Sequence, residues 1–272
     1  MKSKKTNSST RVKGWLEVDQ DDAMLITPDR IVLSTATGFP ATRIFGALTV
    51  YVSRNRPIRL TLEGKRAKTV EYAVVPPYTR HSALTFDGHI TKVLIETERV
   101  DIPRLMDYLT GDAKRSNAVA DRMREGFASL PQAISQEFAI DETFFGGKLP
   151  SRKLDDRIAK VIEHINGNPG VQFSAKECAA LAGLSFSRFV HVFRTETNAT
   201  FRGYQSWRHA RNFMPFVNGQ YSLVDVALQI GYADAPHFSR SIRKFYGITP
   251  KQIASVSRKL RVVVQPQWTN PG

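Results

Sequence analysis

Between Phe186 and Glu196, apolar positions at Phe189, Val192 and Phe193 leave Ser187, Arg188, Val190, His191 and Arg194 free to point the other way. A second set lies between Ala235 and Tyr246. There Phe238, Ile242 and Phe245 take the apolar positions and Pro236, His237, Ser239, Arg240, Arg243 and Lys244 are left outward. Apolar residues three and four apart line one face of a helix, so each set is a row of donors and cations on a helical outer face. Such rows suit duplex DNA. Guanidinium and hydroxyl groups bind either base edges, which carry sequence information, or phosphates, which fix position.

The elements that must position these rows are two copies of one pattern, 48 residues apart. In the first, Cys178, Ala179 and Ala182 precede Gly183 and Leu184; in the second, Val226, Ala227 and Ile230 precede Gly231 and Tyr232. Each copy predicts two short helices around a tight turn whose glycine accepts the backbone the turn demands. Ser174 with Glu177, and Ser222 with Asp225, have the spacing of an N-cap and its acidic partner. Ser185 and Asp234 can cap the second helices. A helix-turn-helix unit braces its second helix so that it enters the major groove. A plain helical bundle would also explain one copy, but two copies in register, with a basic helix over Phe201 to Val217 between them, favour groove binding. That helix would span about 25 Å and carry Arg202, Arg208 and Arg211, with Tyr204, Trp207 and Phe216 as packing surface. Pro215 within it would kink or end it.

The segments Ala179 to Ser185, Phe193 to Asn198, Asp225 to Arg240 and Phe245 to Pro250 resemble the AraC/XylS family of transcription regulators. The resemblance implies two helix-turn-helix subdomains joined by a long helix, set on successive major-groove faces on one side of promoter DNA. By motif position it would turn Ser187, Val190 and His191 to base edges, Val190 meeting a thymine methyl, and Arg188 and Arg194 to phosphates. In the second unit Ala235, Pro236 and Arg240 fall at base-facing positions. Arg240 is the candidate for bidentate guanine contact, while the unit as a whole is suited more to gripping backbone. Activation is the commoner outcome in the family; nothing in the sequence shows a polymerase contact, so repression stays open.

Charge agrees with this partner. The chain of 272 residues has 39 Lys and Arg against 25 Asp and Glu, a net +14, and from Ser151 onward the count is 17 against 7. A basic domain of this kind releases counterions on binding DNA. Length suggests two domains. Residues 1–14, rich in Lys, Ser and Thr, are expected to be a disordered tail. Residues 15–140 would form a regulatory or dimerisation domain, 141–152, with Phe145 to Pro150, a linker, and 153–262 the DNA-binding domain, opened by a helix from Leu154 to Asn166. Short runs at Arg30 to Ser34, Ile44 to Val52, Arg59 to Leu62, Thr69 to Val75 and Thr91 to Thr97, separated by turn residues such as Arg56-Pro57, Glu63-Gly64, Pro76-Pro77 and Asp87-Gly88, predict a small antiparallel barrel or jelly roll. With Val74 to Ser82 this region resembles the cupin-like sensory domain of AraC-type regulators. Helical periodicity follows, with Leu105, Met106 and Leu109, then Val119, Met123, Phe127 and Leu130, closed by Pro131. These helices would pair subunits or pack within the domain.

His81 is a weak candidate for effector binding; a metal centre would need earlier histidine ligands, and no histidine precedes it. The fold class is therefore α+β, a cupin-like β half with flanking helices and an all-helical half. The expected function is a non-enzymatic, cytoplasmic bacterial DNA-binding regulator without metal or other cofactor. Promoter DNA is the expected partner, with RNA polymerase, a small-molecule effector and a second copy as further candidates. No apolar run is long enough to span a membrane and no secretory signal is seen at the start. The competing class is a cupin-type metalloenzyme with a DNA-binding appendix. A repair methyl acceptor would need a reactive cysteine, whereas the single Cys178 falls on an inward helical face.

Overall fold

The computed structural model describes residues 22–36, 41–85, 88–133, 139–219 and 221–265, without the side chains of 128–133. The expected tail at 1–14, Trp15, Asp87, Phe138 and the side chains of Leu130 and Pro131 lie outside the described residues. Among the described residues eight strands come first: β1 (Ala23–Ile26), β2 (Arg30–Ala36), β3 (Leu48–Ser53), β4 (Ile58–Leu62), β5 (Lys68–Val70), β6 (Tyr72–Val75), β7 (His81–Leu84) and β8 (His89–Ile95). Three helices follow, α1 (Ile102–Thr110), α2 (Ala113–Ala133) and α3 (Ile140–Phe145).

The strands form a six-stranded sheet in the order β6-β3-β8-β2-β1-β9 and a three-stranded sheet in the order β5-β4-β7. The sixth strand, β9 (Arg261–Val264), comes from the far end of the helical half and lies parallel to β1, Ala23 opposite Arg261 and Ile26 opposite Val264. One face of the large sheet, with Leu25, Val32, Val50 and Val93, is covered by α1 to α3 through Leu105, Met123, Phe127 and Phe144. The other face, with Met24, Ile31, Tyr51 and Leu94, meets Ile58, Leu60 and Ala83 of the small sheet and also the second helix-turn-helix unit. Both faces being covered, β3 is buried at every residue, which erases the period-two alternation a half-exposed strand would show.

The α+β class stands, with several local corrections. The run from Thr69 to Val75 is two strands, because the chain passes at Glu71 from the small sheet to the large one. Only from Leu48 is the run Ile44 to Val52 a strand. Ahead of it the Ile44 amide donates to the Phe245 carbonyl, and Gly46 lies so close to Trp207 that a Cβ would sit 2.3 Å from its Cγ. Helix α2 continues two residues past Pro131, since one missing N–H in a final turn ends the ladder without kinking anything beyond it. The stretch expected as a linker is held down. Leu149 is buried, Asp101 N–H donates to the Pro150 carbonyl at 2.9 Å, and Val100 bridges to Ser151.

The helical half runs α4 (Asp156–Gly167), α5 (Ala175–Leu181), α6 (Phe186–Thr197), α7 (Phe201–Arg211), a 3-10 turn (Met214–Phe216), α8 (Leu223–Gln229), α9 (Ala235–Tyr246) and α10 (Pro250–Ser257). The connecting helix α7 is thus shorter than expected, about 16 Å rather than 25 Å. It stops four residues before Pro215, where the proline ring would clash with the Arg211 carbonyl.

Candidate nucleic-acid interface

Each unit is built by its caps and its turn. In the first, Ser174 and Glu177 form a complete capping box on α5, and the Ser185 hydroxyl accepts from the Arg188 amide at the start of α6. In the second, Ser222 caps α8 by accepting from Val224 N–H without the reciprocal Asp225 contact, and the Asp234 carboxylate accepts from His237 N–H on α9. Both turns place glycine in the left-handed region, Gly183 at φ 63° and Gly231 at φ 88°. At Gly231 a side chain is also excluded by space, since a Cβ would lie 2.3 Å from the Gly170 carbonyl oxygen.

Phe189 and Phe193 of α6, and Phe238, Ile242 and Phe245 of α9, are buried as predicted, while Val192 is half-buried. Ser187, Arg188, Val190, His191 and Arg194 are exposed on α6; so are Pro236, His237, Arg240, Arg243 and Lys244 on α9, with Ser239 and Ala235 half-buried. At 100° per residue, His191 in α6 and Arg240 in α9 stand at the centre of each outward face, flanked by Arg194 and Arg243. Two residues of α9 are drawn back onto rings: His237 lies edge-on to Tyr232 at 5.2 Å, and Lys244 Nζ is 5.1 Å from the centre of Phe245. Among the described residues none of Arg188, Arg194, Arg240 and Arg243 forms an ion pair within the chain, so their charges face solvent.

Two arginines expected to add to this basic surface do not. Arg208 and Arg211 of α7 are buried against the β half. Arg211 Nε pairs with Glu96 Oε1, and its Nη2 donates to the carbonyls of Thr27 at 2.6 Å and Arg30 at 3.1 Å. Trp207 Nε1 donates to Glu96 Oε2 at 2.8 Å. Arg208 lies 3.5 Å from Glu98 Oε1, which also accepts from the Tyr204 hydroxyl at 3.3 Å. Burial raises the pKa of the Glu98 carboxyl, opposed by Arg208. Of the three arginines on α7 only Arg202 is exposed. The sequence held no local sign of this clamp, whose acids follow β8 and whose cations lie on a helix more than a hundred residues later.

His81 is buried between the sheets. Its Nδ1 donates to the Thr79 carbonyl at 2.8 Å, so Nε2 is the acceptor for the Tyr51 hydroxyl at 2.8 Å. Desolvation pushes its pKa down to about 4, holding the ring neutral. Both nitrogens are thus used in structure. Among the described residues no three His, Cys, Asp or Glu side chains come together as metal ligands. Cys178 is buried in the first unit, and burial pushes its thiol up to about 11. No helix among the described residues is long and apolar enough to cross a membrane.

A β-sandwich fused to two helix-turn-helix units, with both second helices presenting cations outward, defines a DNA-binding class of protein. Residues 178–255 match a family model described as a helix-turn-helix domain. The match places a helix-turn-helix domain in the C-terminal half of the chain, in keeping with the AraC/XylS resemblance of its motifs. The fold is similar to that of an apo single-residue variant of ToxT from Vibrio cholerae strain SCE256, at 11% identity and a TM-score of 0.51, over 88% of this chain and 96% of that one. It is likewise similar to unsaturated fatty acid bound wild-type ToxT from the same strain, at 10% identity and a TM-score of 0.51, over 84% of this chain and 96% of that one. At such identities the likeness is one of fold. No curated protein sequence matches the chain.

Proposed function

We propose that this chain is a sequence-specific transcription activator that lays α6 and α9 into neighbouring major-groove segments of promoter DNA and answers to a small molecule held by its β half. The observation that carries this reading is the pair of matched outward rows, His191 with Arg194 and Arg240 with Arg243, on helices braced by two copies of one turn. Ser187, Val190 and His191 take base edges, Arg188 and Arg194 take phosphates, and Arg240 takes a guanine. His237, Ser239, Arg243 and Lys244 line the backbone on either side, with Pro236 next to Arg240 at the bases. The excess of cations from Ser151 onward makes affinity fall steeply with salt. Control by a small molecule is supported by the shared fold of a regulator that binds an unsaturated fatty acid. RNA polymerase and a second copy of the chain are the protein partners this reading assigns.

The test is selection of bound fragments from the source genome by the full-length protein at low and physiological salt. Enrichment of a recurring motif next to promoters is the expected result. Absence of duplex binding even at low ionic strength would overturn the proposal.

A further inference from the structure

The positive charge of the β half is gathered in one place. Of the 22 Lys and Arg and 18 Asp and Glu in the first 150 residues, the stretch from Arg54 to Arg80 holds seven and two, which leaves 15 against 16 elsewhere. Both acids of the stretch are already taken, Glu63 by Arg80 at 3.2 Å and Glu71 by Arg124 of α2 at 3.3 Å. Arg56, Arg59, Lys65, Arg66 and Lys68 are exposed, and none of them has an ion pair among the described residues. The small sheet carries them. Ile58 and Leu60 of β4 are buried in the core, so Arg59 between them points outward, with Lys65 and Arg66 in the turn to β5 and Lys68 at its start.

This sheet is tied to the helical half beside α9. His81 of β7 bridges to Arg43, the Ile44 amide donates to the Phe245 carbonyl at the end of α9, and Tyr78, ahead of β7, lies beside Gly203 of α7. The patch also lacks what a protein partner needs. Protein interfaces are anchored by apolar and aromatic side chains and are poor in lysine, whereas the exposed large hydrophobic residues of the described chain all lie from Val171 onward. Cations without an apolar anchor suit a partner held by charge alone, the phosphates of a nucleic acid.

We propose that the β4–β5 hairpin is a third contact with DNA, in which Arg56, Arg59, Lys65, Arg66 and Lys68 hold phosphates of the duplex beyond the segment read by α6 and α9. It rests on the function proposed above and adds to it a surface in the other half. A duplex is stiff over about 150 base pairs, so a sheet fixed beside the end of α9 is placed to meet the phosphates next to the site. Such contacts position the protein and carry no sequence information.

The experiment measures binding of the full-length protein to two duplexes with the same selected site, one ending at the site and one extended by about one helical turn on each side, over a series of salt concentrations. A variant combining Arg59→Gln, Lys65→Gln, Arg66→Gln and Lys68→Gln is compared with the unaltered protein. The extension should tighten binding of the unaltered protein by roughly tenfold at low salt, and the variant should lose that gain, with a salt slope shallower by about 2–4 on the extended duplex only. Its binding to the short duplex should stay as it was. No gain from the extension, a gain that survives in the variant, or an equal loss on both duplexes would each overturn the proposal. So would an effect seen only once RNA polymerase is added, which would assign the surface to a protein. Failure of the unaltered protein to bind even the short duplex would sink the function proposed above as well, so the short duplex tells the two failures apart. Should the variant fail to fold, acetylation of Lys65 and Lys68 mapped by mass spectrometry decides: the extended duplex should protect both, the short one neither.

Discussion

The two helix-turn-helix units share a motif but not a way of being held. The first has a core of its own, with Cys178, Ala179, Phe189, Phe193 and Phe201 packed against Ile158, Val161 and Ile162 of α4. The second has no separate core. Val226, Ala227, Phe238, Ile242 and Phe245 belong to one cluster with Met24, Ile31, Tyr51 and Leu60 of the sheets. Helix α7 spans the divide: Phe201 and Tyr204 at its start pack into the first unit, Trp207 and Ala210 further along pack into the shared core. Similar sequence patterns thus give one unit with a core of its own, touched by the β half through Tyr78, Thr97 and Glu98, and one that is an extension of the β-sandwich. Burial near a motif depends on what the rest of the chain brings to it.

The clamp at Glu96 tests this contrast most severely. Glu96→Ala leaves the buried Arg211 guanidinium without its acid, a class of change that costs about 3–5 kcal/mol. Urea denaturation should show that loss, and amide exchange should speed in α8, α9 and the sheets while α4 to α6 keep their protection. Uniform loss of protection would mean that the first unit depends on the sandwich too. A core deletion in each unit sharpens the point. Phe193→Ala, at a fully buried site, should cost about 3–5 kcal/mol and loosen only the first unit, whereas Phe238→Ala, of similar cost, should loosen the sheets as well.

Smaller effects bear on the outward faces. Arg240→Ala should weaken binding to a selected site by about 1–3 kcal/mol while leaving random duplex affinity almost unchanged. Equal losses on both would assign Arg240 to phosphate. Least of all, Cys178 alkylation by iodoacetamide in the native protein should run about a hundredfold slower than for an ordinary thiol, following its raised pKa. A rapid reaction would show that the first unit opens readily.

What the sequence made legible was local. Caps at Ser174, Ser185, Ser222 and Asp234, the glycines at the two turns, and the inward residues of α6 and α9 all follow from spacing within a dozen residues, and they lie where spacing puts them. Strands β1, β7 and β9, the last in the half expected to be all-helical, have four residues each and escaped notice because so short a run shows too little alternation; β6, no longer, was legible only within the longer run Thr69 to Val75. The fate of Arg208 and Arg211 could not be read from their own helix. A basic residue on a helix looks the same whether it will meet phosphate or a buried acid, and here the acid of one pair lies 115 residues away.

Strand β9 carries a consequence for how the protein is made. Its backbone completes the edge of the first-synthesised sheet beside β1, with Gln265 N–H reaching the Ile26 carbonyl. A ribosome delivers Ala23 to Ile26 long before Arg261 to Val264, so that sheet margin stays open throughout translation and is sealed only once the helical half has emerged. Nascent chains stalled before that point would present a raw strand border to their neighbours, a state that chaperones are suited to shield.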